Sequence, residues 1–196
     1  MADVAIRKIQ DITEEEMDKL VILCSRAYEH HQATAIMLGG RQDLRDLLFQ
    51  SMVGAGALAG ELYVMENRNK EMLSMALWFA PGQTIFSSEV QRSKGFNDLM
   101  KELDGETKVW WKDQYGRFMS EYVPKVLGKT AMDSWWLNVL ATDPDHQGKG
   151  YATTLTQEKI KQAAFYNFIG FTTKGYGELP SKFGMLPVWC LAQDVI

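Results

Sequence analysis

The run from Ala141 to Leu155, ATDPDHQGKGYATTL, sets a proline, two glycines and small polar residues directly after the apolar run Trp135–Leu140. A strand that ends in a glycine turn and enters a helix exposes unpaired backbone N–H groups at the positive end of the helix dipole. Such a corner binds phosphate. Glycine suits it because any Cβ would hold the anion away from the amides. Two phosphate-binding designs do not fit. A P-loop requires Gly, four residues, then Gly-Lys-Ser/Thr, whereas Lys149 is followed by Gly150 and position 143 is Asp. A dinucleotide fingerprint requires a third Gly or Ala, but Gly148-Lys-Gly150-Tyr-Ala places Thr153 there, and the strand comes late in the chain.

A third design fits. Gln147-Gly-Lys-Gly150-Tyr-Ala152, preceded by Leu140-Ala-Thr-Asp-Pro144, matches Gln/Arg-x-x-Gly-x-Gly/Ala and closely resembles the acetyl-CoA pyrophosphate loop of the GNAT superfamily of N-acetyltransferases. Downstream, Phe165-Tyr-Asn-Phe-Ile-Gly-Phe171 is similar to that family's Phe/Leu-Tyr-x-x-x-Gly-Phe segment. The resemblance covers nearly the whole chain in element order. It implies an α/β fold with a mixed, mostly antiparallel central sheet flanked by helices. It also implies acetyl-CoA as cosubstrate, with its pyrophosphate cradled by the backbone of Gln147, Gly148, Lys149, Gly150, Tyr151 and Ala152. Leu140, Ala141 and Thr142 would pair through their backbone with the pantetheine arm, and an N–H near Leu140 would stabilise the oxyanion formed when an amine attacks the thioester.

By the same resemblance, Tyr166 aligns with the tyrosine that protonates the departing thiolate; as a plain residue it reads equally as a core aromatic beside Phe165 and Phe168. Family members carry a fifth strand and a helix start between the phosphate-binding helix and this tyrosine, whereas here only Thr153 to Phe165 intervenes. One continuous helix from Ala152 would carry Tyr166 about 21 Å along its axis at ~1.5 Å per residue. A deletion, a different local path and a sequence lacking residues at this point all remain open. For the base that deprotonates the amine, His30 and His31 fall in the break after the first helix, a region that lines acceptor pockets in this family, and histidine titrates near neutrality. Asp133 and Glu121 are further candidates; His146 lies in the turn and is expected at the surface.

The function expected is an N-acetyltransferase moving acetyl from acetyl-CoA to a primary amine of a small molecule by direct attack in a ternary complex, with a peptide or protein amine also open. A GNAT-like module that holds acyl-CoA with little catalysis is the first alternative, and a convergent nucleotide- or phosphate-binding domain the second. The composition agrees with an enzyme of this kind. At 196 residues, 46% apolar and 23% charged, the chain suits one packed domain, residues 1–196. A formal net charge of −4 argues against a nucleic-acid partner. The N-terminus lacks signal-peptide order and no apolar run approaches bilayer length, so no membrane partner and a cytoplasmic location are expected, with the nucleus also open. Cys24 and Cys190 lack metal-site spacing and read as free thiols; no metal site is expected. A homodimer is left open.

The elements that must position these residues follow from periodicity. Val4–Ile9 alternates as a strand, and Thr13 with Glu16 reads as a capping box opening a helix with Met17, Leu20, Val21, Cys24, Ala27 and Tyr28 on its apolar stripe. Residues 28–35 break that period, Gly39-Gly40 turns, and Leu44, Leu47, Leu48 and Met52 mark a second helix. Glu61–Glu66 and Met72–Phe79 form a hairpin of strands. Residues 81–133 read as a helical insertion between the third and fourth strands, ended by Pro124 and Gly128. Within it Trp111, Tyr115, Phe118 and Tyr122 repeat at helical spacing, which fits either burial on the core or the lining of a substrate pocket by Trp111 and Tyr115. Ser134–Thr142 is the fourth strand, a helix runs from Tyr151, and a last strand spans roughly Pro187 to Asp194, leaving the fifth-strand region missing.

Overall fold

The computed structural model of the chain describes residues 4–163 and 172–192. Four strands, β1 (Val4–Ile9), β2 (Glu61–Asn67), β3 (Met72–Phe79) and β4 (Trp136–Thr142), pair antiparallel in that order. Strand β3 is buried along its whole length because helices cover both of its faces. On one face α1 (Glu14–Ala27) and α3 (Arg45–Ala59) bury Leu20, Cys24, Phe49 and Val53 against Met75, Leu77, Val139 and Ala141. On the other, α8 (Tyr151–Ala163) sets Leu155 against Tyr63, Ala76 and Trp78. Helix α1 begins where the sequence places it: Thr13 and Glu16 close the reciprocal capping box.

Between β3 and β4 the insertion folds as α4 (Glu89–Arg92), α5 (Phe96–Glu102), α6 (Gly105–Val109), a π-helical turn (Trp110–Tyr115) and α7 (Gly116–Leu127). Proline 124 does not end the last of these. It removes one N–H near the C-terminus, and α7 continues to Leu127 before Gly128, in the left-handed conformation, closes it.

Two elements escape the periodicity argument. Helix α2 (Gln32–Met37) lies inside the stretch expected to be irregular; six residues are too few to show a period, and the His31 side chain caps it by accepting the Ala33 N–H. Strand β5 (Thr172–Ser181) pairs with β6 (Gly184–Ala192) in a separate two-stranded sheet, so the last strand starts earlier than expected. The sequence of β5 carries two glycines and a proline, which read as loop, and tertiary packing overrides them. Trp110 donates its indole N–H to the Pro180 carbonyl at 3.0 Å and Tyr122 its hydroxyl to the Val188 carbonyl at 3.3 Å, tying the hairpin to the insertion. The hairpin does not extend the main sheet. Among the described residues β4 is therefore an edge strand, as the missing fifth-strand region implies.

Candidate active site

The open edge of β4 links the glycine turn to a large cavity. Asp143 donates its N–H to the Leu73 carbonyl at 3.0 Å, which makes Leu73 and Asp143 a hydrogen-bonded pair. In an antiparallel ladder such pairs alternate, so Met75 and Ala141 bond each other while Thr142 and Leu140 turn their N–H and C=O groups to the free edge. Of the three residues expected to meet the pantetheine arm, Leu140 and Thr142 thus face outward, and Ala141 faces β3, where its carbonyl also accepts the Ser74 hydroxyl at 2.8 Å.

Side chains occupy the two outward carbonyls. Tyr28, at the C-terminus of α1, donates its hydroxyl to the Leu140 carbonyl at 2.8 Å, and the Gln147 side-chain amide donates to the Thr142 carbonyl at 3.2 Å. The N–H groups of Leu140 and Thr142 meet no acceptor among the described residues. The edge therefore offers donors, which suits a ligand carrying carbonyl oxygens. Burial pushes the Tyr28 phenol up to about 12, so it stays protonated throughout the neutral range.

At the far end of the strand the chain makes a 3-10 turn, Pro144–His146, and then the glycine turn. Gly148 and Gly150 have φ of +74° and +80°, and a Cβ built on either would meet no protein atom within 4 Å. The space in front of them is open. Thr154 makes the first intrahelical bond of α8, to the Gly150 carbonyl, so the N–H groups of Gly148 to Thr153 precede the hydrogen-bonded part of the helix. Lys149 is held over the turn by the Asp145 carbonyl at 3.2 Å and His146 Nδ1 at 3.1 Å. The turn is anchored from α1: Arg26 forks between Asp143 and Asp145 at 2.7 Å each, and the buried Asp143 carboxylate also accepts the Asp145 N–H. Arg26 gave no signal in the sequence, because its partners lie more than a hundred residues away.

At the near end of β4 a bulge changes which face the side chains take. Trp135, Leu137 and Leu140 pack toward α8, whereas Val139 and Ala141 pack toward α1 and α3. The alternation breaks where the register slips between Leu77 and Trp78, opposite Leu137 and Val139. Asn138 is the extra residue. Its side chain, with that of Trp136, lines a cavity of about 720 Å³ whose remaining wall comes mostly from the insertion.

Trp111 and Tyr115 both line this cavity, while Phe118 and Tyr122 stack on each other and pack against the hairpin. The aromatic stripe thus divides between the two roles open to it, and Trp111 is fixed by an indole N–H bond to the Met37 carbonyl at 2.8 Å. The Tyr115 hydroxyl and the Asn138 amide have no hydrogen-bond partner among the described residues, and burial raises the Tyr115 pKa above its ordinary value. Asn138 was visible in the sequence as a polar interruption of an apolar run, but the bulge that aims it was not.

The candidate bases are placed elsewhere. His30 and His31 are exposed and absent from the cavity wall; His31 caps α2 and sets its ring edge against Tyr28 at 5.5 Å. Asp133 caps its own turn by accepting from Thr130, and Glu121 is exposed beside Arg117. Tyr166 lies outside the described residues.

No protein-family model matches the chain, and no curated protein matches it significantly. Among solved structures, one described as the histone acetyltransferase HPA2 and related acetyltransferase from Corynebacterium glutamicum matches over 100% of both chains, with a TM-score of 0.56 and 19% sequence identity. That likeness establishes the fold: a mixed α/β, GNAT-like arrangement of an antiparallel sheet flanked by helices, as the glycine turn and its flanks imply.

Proposed function

We propose that the chain is an acetyl-CoA-dependent N-acetyltransferase that acts on a primary amine of a small molecule by direct attack in a ternary complex. One observation carries the reading: an edge strand with open N–H groups at Leu140 and Thr142 joins a bare, donor-rich turn to a cavity lined by Trp111, Tyr115 and Asn138. The turn fits a pyrophosphate, since the space a Cβ would fill at Gly148 and Gly150 is open. The N–H groups at Leu140 and Thr142 fit carbonyl oxygens of an acyl-pantetheine arm, and the former is suited to a developing oxyanion. The protein's contribution is then alignment and donation rather than a covalent intermediate. The acetyltransferase of like fold supports the same reaction class.

The test is thermal stability with and without acetyl-CoA, with ATP and NADH as controls, followed by thiol release in the presence of amines. At about 100 times its dissociation constant a ligand stabilises by roughly 2.7 kcal/mol. A shift with acetyl-CoA alone, plus amine-dependent thiol release, is the expected result; an equal shift with ATP or NADH overturns it. A second reading, an acyl-CoA-binding module with little catalysis, is favoured by the separation of the β5–β6 hairpin from β4. It predicts the acetyl-CoA shift without thiol release.

A further inference from the structure

The wall of the cavity says which amines it suits. Its interior is apolar and aromatic, formed by residues such as Phe86, Phe96, Trp111, Met119 and Trp136. No aspartate or glutamate lines it among the described residues. A polyamine or a lysine-rich peptide brings several cations, and such a substrate is recognised by carboxylates that this wall does not supply. Among the described residues, the charged ones on the wall are Lys108 and Lys112. They lie four residues apart on the insertion, and neither is paired with a carboxylate among the described residues; Lys108 donates to the Lys101 carbonyl at 3.1 Å, and Lys112 is exposed. Two like charges at this spacing repel, which makes the pair a poor structural device and a good receptor for an anion.

Two polar groups without partners lie elsewhere on the wall. Asn138 sits on β4 two residues before Leu140, about 7 Å along the strand at ~3.3 Å per residue. Its amide and the Tyr115 hydroxyl are open for hydrogen bonding in a mostly apolar space, the arrangement that fixes a ligand's orientation. We infer that the acceptor is an amine carried on an aromatic or bulky aliphatic spacer with a carboxylate at its other end: the amine meets Asn138 beside the Leu140 edge, the spacer fills the cavity, and the carboxylate meets Lys108 and Lys112. This rests on the acetyltransferase reading and adds the substrate class to it.

The matched probes are 4-(2-aminoethyl)benzoate and 2-phenylethylamine, which share ring and amine and differ by the carboxylate, with spermidine as the polycation. Thiol release is measured with acetyl-CoA at saturation. The acid is expected to be preferred by up to about fivefold in kcat/KM, through KM, for an exposed ion pair on the cavity wall. The preference falls as salt is raised. In the double variant K108E/K112E the order of the two probes reverses. An equal or better kcat/KM for 2-phenylethylamine or spermidine, or a preference that survives K108E/K112E, overturns the inference while leaving the acetyltransferase reading intact. Absence of both an acetyl-CoA stability shift and thiol release with every probe overturns that reading instead.

Discussion

Replacing Gly150 by alanine separates the two reasons a chain keeps glycine in a turn. A Cβ at Gly150 meets no protein atom within 4 Å, so packing costs nothing and the folded protein resists the change only through its φ of +80°. Left-handed backbone costs an L-residue about 1–2 kcal/mol, which lowers the midpoint of a chain this size by roughly 2–8 °C. Gly128, at the end of α7, has φ +68° and equally open surroundings, and it is remote from the glycine turn in sequence and fold. It is the matched control. Without ligand, G150A and G128A should lose similar stability. With acetyl-CoA they should part. If the new Cβ displaces the anion from two amide donors worth about 1.5 kcal/mol each, affinity falls about a hundredfold. A concentration that was ~100 times the dissociation constant then merely equals it, and stabilisation drops from about 2.7 to about 0.4 kcal/mol. Differential scanning fluorimetry resolves that difference: a shift of roughly 5–10 °C in the parent and G128A, and about 1 °C in G150A. A full shift in G150A would show that the glycines serve the turn alone.

Other outcomes follow from the same geometry. Removing the guanidinium in Arg26→Ala leaves the buried Asp143 without its partner and loosens the turn, so steady-state kinetics should show KM for acetyl-CoA rising more than kcat falls. Asn138→Leu should lower kcat/KM for the amine by about tenfold, the cost of one lost polar contact to a substrate amine, while the acetyl-CoA midpoint shift persists. Tyr28→Phe removes the hydroxyl from the Leu140 carbonyl at a cost of about 1 kcal/mol, and should leave the pH profile of turnover between pH 6 and 9 unchanged, because Tyr28 titrates only near 12. Cys24, fully buried, has its thiol pushed from 9.0 up to about 12 by burial. A raised folded pKa contributes stability that is complete below the unfolded value and lost as pH rises through the folded one, so urea midpoints should decline between pH 9 and 12. The decline should be shallower in Cys24→Ala; an equal slope would refute the assignment.

The sequence was most legible where one local pattern decides one element. The capping box at Thr13, the alternation of Val4–Ile9 and the apolar runs of β2 and β3 each set their own secondary structure, and the glycine turn announced its place between a strand and a helix. What escaped depends on distant residues. Strand β5 is held by the insertion through Trp110 and Pro180, seventy positions apart, against its own glycines and proline. The division of the aromatic stripe, with Trp111 and Tyr115 at the cavity and Phe118 and Tyr122 at the hairpin, accompanies a π-helical turn that a 3.6-residue period does not foresee. Asn138 carries no local signal for the cavity, because the bulge that places it depends on the register between β3 and β4.

The open edge of β4 gains meaning from these distant contacts taken together. An unpaired edge normally offers donors and acceptors alternately and invites another strand. Here Tyr28 and Gln147, brought from α1 and from the turn, take the two outward carbonyls and leave the two outward N–H groups. A peptide strand pairing with this edge would find half its hydrogen bonds already occupied, whereas a ligand that needs donors more than acceptors would lose little. The same two side chains mark the two ends of the path, Tyr28 at Leu140 on the side nearer the cavity and Gln147 at Thr142 beside the turn. Under the proposed function, a bias against a protein strand and towards a carbonyl-bearing chain is built from Tyr28 and Gln147, over a hundred positions apart, and it does not depend on the identity of the amine.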